Sequence, residues 1–520
     1  MRIDQVALLP TYVAAATAVL ALLADLVVPG RRGAVAGVTA LGMLGTIATA
    51  ITVGQGLDDG GRRTAFCLGP DQCSLVFDPA TAIVAGVFAA LALGALALSV
   101  PLLRTGEVPA GEYCFLLACS MTGAVVLGGA RDLITLVVAL ETLTLPLYLL
   151  VGLRRGNRAG GAAAVTFFVV SVVSTAVALL GAALVFTATG GVHFADIAGA
   201  QVAPAAEPLL KVGVILLLTG LAFKVAAVPA HAWAPATYDG APLPVAAYLS
   251  TASKLGGVVA LLLVGVSAAR PVLGTSGLTL AVLAVLSMTV GNLVALRQRR
   301  MVRLLAWSSV AQAGYLLAPL GALLAAGGRT GPAVELLVAA TVAYAFFYVV
   351  LEFSAFGALV AVRGAGDGGE VADYRGLARR SPWLTAVLVI SLTGLAGLPP
   401  GLAGLFAKVA VVRSLLGGDA VWLAVVVALN AVIGLAYYVR AAATFFGAPP
   451  EGPALEGAAL EGAALEGATP EGAATDGASP ELVKPRVSWP VAVAVAVAAV
   501  VAVLVGFAPE LIMRAAGTFS

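Results

Sequence analysis

Charge is what this sequence most lacks. Of its 520 residues 11% are charged and 61% are hydrophobic, and the mean hydropathy is +1.04. A water-soluble chain carries roughly a quarter of its residues as Asp, Glu, Lys and Arg, so most of the outer surface is expected to face lipid. A net charge of +2 and the want of any long basic run exclude an electrostatic footprint for nucleic acid. Cysteine is scarce as well. The four present are too scattered for an iron–sulfur cluster, which needs grouped thiolates. Cys114 and Cys119 lie in an apolar run and read as packing residues. Cys67 and Cys73 share a polar loop, where they either stay reduced or pair if the loop faces an oxidising compartment. His193 and His231 are the only histidines, too far apart in the chain to suggest a metal site. No nucleotide fingerprint follows a strand, since hardly a strand is expected, and redox chemistry is therefore expected elsewhere than on this chain.

Apolar length is what the sequence has. A spanning helix needs roughly 20 apolar residues. About 14 stretches qualify: 6–28, 34–55, 79–101, 112–129, 131–153, 162–187, 209–228, 242–267, 273–296, 302–322, 333–361, 382–416, 420–440 and 488–510. The first has no small-residue cleavage site and carries Asp25 near its end, so it reads as a retained helix. The 382–416 stretch is too long for one straight span and contains Pro399-Pro400, which predicts two half-helices around a break. The fold class expected is an all-α polytopic membrane protein with broken helices.

Arginine sets the expected orientation. With the N-terminus outside, the inner loops collect Arg31, Arg32, Arg104, Arg154, Arg155, Arg158, Arg297, Arg299, Arg300, Arg303, Arg363, Arg375, Arg379, Arg380, Arg440, Lys484 and Arg486. The outer side collects Arg2, Arg62, Arg63, Arg131, Arg270, Arg329, Arg413 and Arg514, a bias of 17 against 8. An even helix count then puts both termini outside, together with the Cys67–Cys73 loop. From Glu451 to Glu481 an acidic residue recurs every fifth position, and glycine follows all but the last. That spacing scatters charge around a helix and the glycines penalise one, so 447–487 reads as a flexible cytoplasmic linker before the last span.

Four lysines remain outside the basic loops. Lys211 lies near a helix end, from which it can snorkel to the interface. Lys224, Lys254 and Lys408 sit inside apolar segments, where a charge survives only in the protein interior or beside water. An amine taken out of water gives up its proton more readily, so three such lysines favour a proton path over three structural ion pairs. Glu141, mid-helix before Pro146, is the natural counter-charge for Lys224. Glu335 is near an outer end. Glu352 lies deeper, beside Tyr and Phe residues that either merely satisfy it or make it a transfer group. Breaks accompany the lysines: Pro229 follows Lys224, Pro242 and Pro244 precede Lys254, and Pro399-Pro400 precede Lys408. Interrupted spans in corresponding positions of two halves point to an ion path built from inverted repeats. Phe223-Lys-Val-Ala and Phe406-Ala-Lys-Val-Ala faintly echo one another.

Specific runs carry a family resemblance over about residues 110–440. They are Glu141-Thr-Leu-Thr-Leu-Pro-Leu-Tyr, Phe223-Lys-Val-Ala-Ala-Val-Pro-Ala-His231-Ala-Trp-Ala-Pro, Tyr238-Asp-Gly-Ala-Pro and Leu249-Ser-Thr-Ala-Ser-Lys254. Arg303-Leu-Leu-Ala-Trp-Ser-Ser-Val-Ala-Gln-Ala-Gly-Tyr315 and Gly397-Leu-Pro-Pro-Gly-Leu-Ala-Gly-Leu-Phe-Ala-Lys408 complete the set. In order and spacing the sequence resembles the antiporter-like membrane subunits of proton-pumping NADH:quinone oxidoreductase, respiratory complex I. Within them it is most similar to the N-type branch, since the L-type carries extra C-terminal helices and a lateral helix, and the M-type usually has glutamate where Lys408 stands.

The resemblance implies a proton relay of Glu141, Lys224, Lys254 and Lys408, with Lys408 as exit. The domains expected are three N-terminal helices (1–110), a first repeat (111–270), a second repeat (271–446), the linker and a C-terminal helix (488–520). It implies no cofactor or metal on this chain, with NADH, FMN, iron–sulfur clusters and quinone handled by partner subunits. The partners implied are those peripheral subunits, neighbouring antiporter-like and small membrane subunits, and the lipid of a bacterial plasma membrane. Relatives often have histidine where Gln312 stands and lysine where Val302 stands. Gln312 cannot titrate, so a relay step there would use water or the amide as a bridge. The alternatives are a subunit of a multi-subunit Na⁺/H⁺ antiporter or membrane-bound hydrogenase, which share these motifs, and a purely structural membrane scaffold.

Overall fold

The computed structural model describes residues 3–57, 61–69, 72–448 and 487–519. The acidic repeat from Glu451 to Glu481, with Lys484 and Arg486, lies outside the described residues. The chain opens with α1 (Leu9–Val27) and α2 (Arg32–Gln55), then a hairpin of β1 (Arg63–Cys67) and β2 (Cys73–Phe77). The hairpin pairs Cys67 with Cys73, and a disulfide joins them. There follow α3 (Pro79–Leu98), α4 (Ala110–Gly129), α5 (Leu133–Gly152), α6 (Arg158–Thr189), α7 (Glu207–Ala222) and α8 (Trp233–Gly240). Next come α9 (Leu243–Tyr248), a π-helical turn (Leu249–Ser253), α10 (Lys254–Leu262), α11 (Leu273–Ala295), α12 (Met301–Gly321) and α13 (Gly331–Arg363). The chain ends with α14 (Pro382–Ala396), α15 (Leu402–Gly417), α16 (Val421–Thr444), α17 (Trp489–Phe507) and α18 (Pro509–Ala516).

Among the described residues, eleven helical spans are long and apolar enough to cross a membrane. The other expected segments are helical in different ways. The 209–228 stretch stops early, at Ala222, and α12 is a helix of 21 residues with a more polar composition. The 382–416 stretch forms the two half-helices that its prolines predict, with the break at residues 397–401. Helix starts follow local chemistry. Asp78 and Asp132 each accept a hydrogen bond from the amide three residues on, at 2.8 and 2.7 Å, which satisfies one of the free amides of α3 and α5.

Small residues let the helices approach. A Cβ on Gly291 would fall 2.5 Å from the Ala311 nitrogen, and one on Gly181 2.4 Å from the Leu217 nitrogen, so α11 meets α12 and α6 meets α7 backbone to backbone. The long α13 packs against α12, α14, α15 and α17 and forms the spine of the second half. Large apolar side chains point outward instead, as do Val165, Val169, Val172 and Leu180 along α6.

The loops sort onto two faces. On one, Arg300 bonds Asp239 at 2.8 Å and Asp367 at 3.1 Å, and Arg154 donates to the Ala365 carbonyl. Burial works against the Asp367 charge, but Arg300 and Arg363 hold its carboxyl below the usual range. On the other face Arg131 bonds Asp78 at 2.7 Å.

Candidate functional site

Unwound backbone sets Lys224. Helix α7 ends two residues before it, so the lysine stands in the break and not inside a continuous helix, as the apolar run suggested. The freed groups find side chains: the Trp233 indole donates to the Phe223 carbonyl at 3.1 Å, and the Val228 amide donates to Ser287 Oγ at 2.9 Å. Such satisfaction is what permits irregular backbone at membrane depth. Lys224 is 3% exposed. Its Nζ donates to Glu141 Oε1 and to Thr144 Oγ1, both at 2.9 Å, and to Ser171 Oγ at 3.4 Å. Glu141 also accepts from Thr175 Oγ1 at 2.8 Å. Its side chain is 28% exposed, so the pair has a buried end and an open end.

Lys254 begins α10 directly after the π-helical turn and is wholly buried. Its Nζ donates to the Ser309 carbonyl, and it lies 5.7 Å from the centre of the Tyr348 ring. Tyr348 shares a hydrogen bond with Ser309 Oγ and donates to the Ser250 carbonyl at 2.8 Å, which ties the π turn, α12 and α13 together around the amine. Gly257 brings this segment onto Lys224: a Cβ there would lie 2.9 Å from the Lys224 Cβ. The two lysines are therefore carried on touching backbones.

Lys408 stands on α15, past the second break. Its Nζ donates at 2.6 Å to the Ala396 carbonyl, the last of α14, where unsatisfied carbonyls favour a cation. The Tyr315 ring centre is 5.1 Å away. Gln312 donates to the Leu395 carbonyl and to Tyr438 Oη, each at 3.0 Å, and accepts from the Tyr344 hydroxyl. The Phe–Lys–Val echo is not matched by position, since Lys224 precedes most of its break and Lys408 follows its own. Among the described residues, neither Lys254 nor Lys408 makes an ion pair; each is held by a neutral carbonyl.

The family model for the transmembrane part of NADH:quinone oxidoreductase and Mrp antiporter subunits matches residues 130–434, which include all four charged residues. The chain is 63% identical to the NADH-quinone oxidoreductase subunit N of Salinispora tropica, over 98% of each chain. The chain belongs to this family. Within it, the N-type subunits are the branch it resembles. Respiratory complex I from Thermus thermophilus contains a chain that matches 97% of this one with 28% identity and a TM-score of 0.73, covering 98% of that chain. A chain of the Mrp complex from a Dietzia species superposes with a TM-score of 0.81 at 23% identity, covering 99% of this chain and 97% of that one; it shares the antiporter-like fold.

For this N-type subunit the structure brings Glu141 and Lys224 together, sets Lys254 behind them on Gly257, and leaves Lys408 next to the Gln312 cluster. Sequence reading missed the hydroxyls that bond the Glu141–Lys224 pair. Thr144 was within reach of it, since three residues after Glu141 falls on the same helix face. Ser171 and Thr175, four apart on α6, carried no charge to mark them. Lys211 pairs with Glu207 at 2.7 Å on the surface, and Glu335 is exposed, in keeping with their peripheral reading. No group of three or more metal-ligating side chains is found among the described residues.

Proposed function

We propose that this subunit carries protons along a buried line from the Glu141–Lys224 pair through Lys254 to Lys408, entering from the cytoplasm and leaving outward. It does so as a proton-translocating membrane subunit of NADH:quinone oxidoreductase, the name borne by its 63% identical relative. NADH, flavin, iron–sulfur clusters and quinone are then the business of partner subunits, and the present chain supplies the path. One observation carries the reading: the buried amines of Lys254 and Lys408 form no salt bridge among the described residues, and each donates to a neutral carbonyl. A lysine kept only as a strut would be paired, because an unpaired buried charge costs several kcal/mol. An amine that is neutral for part of a cycle needs no permanent partner.

Glu141 works as the switch of the line. While its carboxylate lies 2.9 Å from Lys224 it favours the ammonium, and withdrawing it frees the proton for Lys254. Its open end needs cover at membrane depth, which a neighbouring subunit of the complex supplies. The inner face is the one that gathers Arg154, Arg300 and Arg363, and both termini lie outside. A multi-subunit antiporter would use the same fold, but the relative's name favours the oxidoreductase.

The test is Lys224→Ala and Glu141→Ala in the intact complex. Each removes half of the pair, so proton translocation in vesicles is expected to be largely lost while native gels show normal amounts of complex. Full translocation in both variants would end the role given to the pair.

A further inference from the structure

Glu352 is a buried acid for which the relay has no use. It is wholly buried in α13, and neither of its carboxylate oxygens has a hydrogen-bond partner. It lies within electrostatic reach of Lys254, Tyr238 and Tyr438. The Tyr238 hydroxyl is also buried, beside Ser309. Buried polar groups are nearly always paired, so two unpartnered carboxylate oxygens near an amine mark a place where a proton can land. The line between Lys254 and Lys408 needs one. Gln312 spends both amide hydrogens on Leu395 and Tyr438 and its carbonyl on Tyr344, and an amide does not titrate. Tyr438 accepts from Gln312, so that bond does not use its own hydrogen.

We infer that Glu352 is a proton-carrying residue, taking the proton from Lys254 and passing it toward Lys408 around Gln312. This rests on the relay proposed above. In the first step a Lys254 N–H bond breaks and a Glu352 O–H bond forms, turning ammonium and carboxylate into amine and carboxylic acid. In the second the O–H bond breaks and the neutral Lys408 amine gains the proton, which restores the carboxylate and makes an ammonium. Total charge is unchanged in each step, and the first removes two charges from a low-dielectric interior, which suits that interior.

The experiment uses the whole complex in vesicles. Glu352→Gln keeps shape and hydrogen-bonding capacity but cannot take up a proton, so it is expected to assemble normally and lose most of its translocation, while Glu352→Asp keeps part of it. Infrared difference spectra of the resting and working complex are expected to show a carboxylic C=O band that shifts in Glu352→Asp and vanishes in Glu352→Gln. A fixed counter-charge to Lys254 would also weaken when neutralised, but its protonation would not change with turnover. Full translocation by Glu352→Gln, or no band that responds to the substitutions, overturns the inference. If Glu352→Gln fails to assemble, the band shift in Glu352→Asp decides alone. Lys254→Gln and Lys408→Met separate the two readings: if both still pump, the relay itself falls, and Glu352 with it. If both fail while Glu352→Gln pumps, only Glu352 is misassigned.

Discussion

Lys408 faces the end of a half-helix, and its replacements discriminate between a strut and a relay. The Ala396 carbonyl 2.6 Å from its Nζ asks only for a donor. Arginine is always charged and donates well, but it cannot release its proton. Glutamate can donate to that carbonyl only as the acid, so it works there only if it is protonated during part of the cycle. Methionine fills the space and does neither. Measured as translocation with assembly checked, a relay predicts Lys408→Glu partly active and both Lys408→Met and Lys408→Arg largely inactive. A structural role predicts that arginine works and glutamate fails. At this scale the sequence was legible where residues break a pattern: a lysine in an apolar run is conspicuous because the membrane penalises it. Hydroxyls are not, because Ser and Thr satisfy themselves on the carbonyl one turn back, and nothing in the run 171–175 marked its side chains as turned toward Glu141 and Lys224.

The second break has the tightest packing around any of the lysines. A Cβ on Gly404 would fall 1.6 Å from the Gly394 carbonyl oxygen, and one on Gly401 would fall 2.1 Å from the Gly394 nitrogen. Helices α14 and α15 thus cross with backbone on backbone. Gly404→Ala must part them, and Lys408 sits one turn further along the helix that moves. Overpacking costs about 1–3 kcal/mol where side chains can yield, and here the obstacle is backbone. The complex is expected at clearly reduced levels on native gels, with lower translocation per complex in what remains. Gly161→Ala, whose added carbon meets nothing within 4 Å, should change neither. This break was readable because Pro399-Pro400 cannot continue a hydrogen-bond ladder. The first was placed late: Pro229 marked it, yet α7 stops at Ala222, because Trp233 and Ser287 take over the freed backbone groups from other parts of the chain. The π turn before Lys254 left no mark in the sequence at all, since every residue from 249 to 253 also suits an α-helix.

At the scale of the whole chain, the two ends of the described residues lie on the face of the disulfide hairpin. Asp4 bonds Arg63 of β1 at 2.9 Å, and Thr518 and Phe519 line a cavity with Asp78, Arg131, Arg270 and Arg329. The opposite face gathers Arg154, Arg300 and Arg363, the loops that the positive-inside bias assigns to the cytoplasm. A disulfide persists where the surroundings are oxidising, so the hairpin is expected on the outer side, the side that the charge bias also proposes for it. The proposed direction of the relay depends on that orientation, which can be measured with thiol reagents. In a Cys114→Ser, Cys119→Ser background the only thiols of this chain are those of the hairpin, and while bridged they are blocked. A membrane-impermeant maleimide is expected to leave the subunit unlabelled in intact cells, and to label it after treatment with an impermeant reductant. Inverted vesicles treated in the same way should stay unlabelled. The reverse pattern would put both described ends and the hairpin in the cytoplasm, and a path written from Glu141 to Lys408 would then run inward, against the export of protons that quinone reduction is proposed to drive.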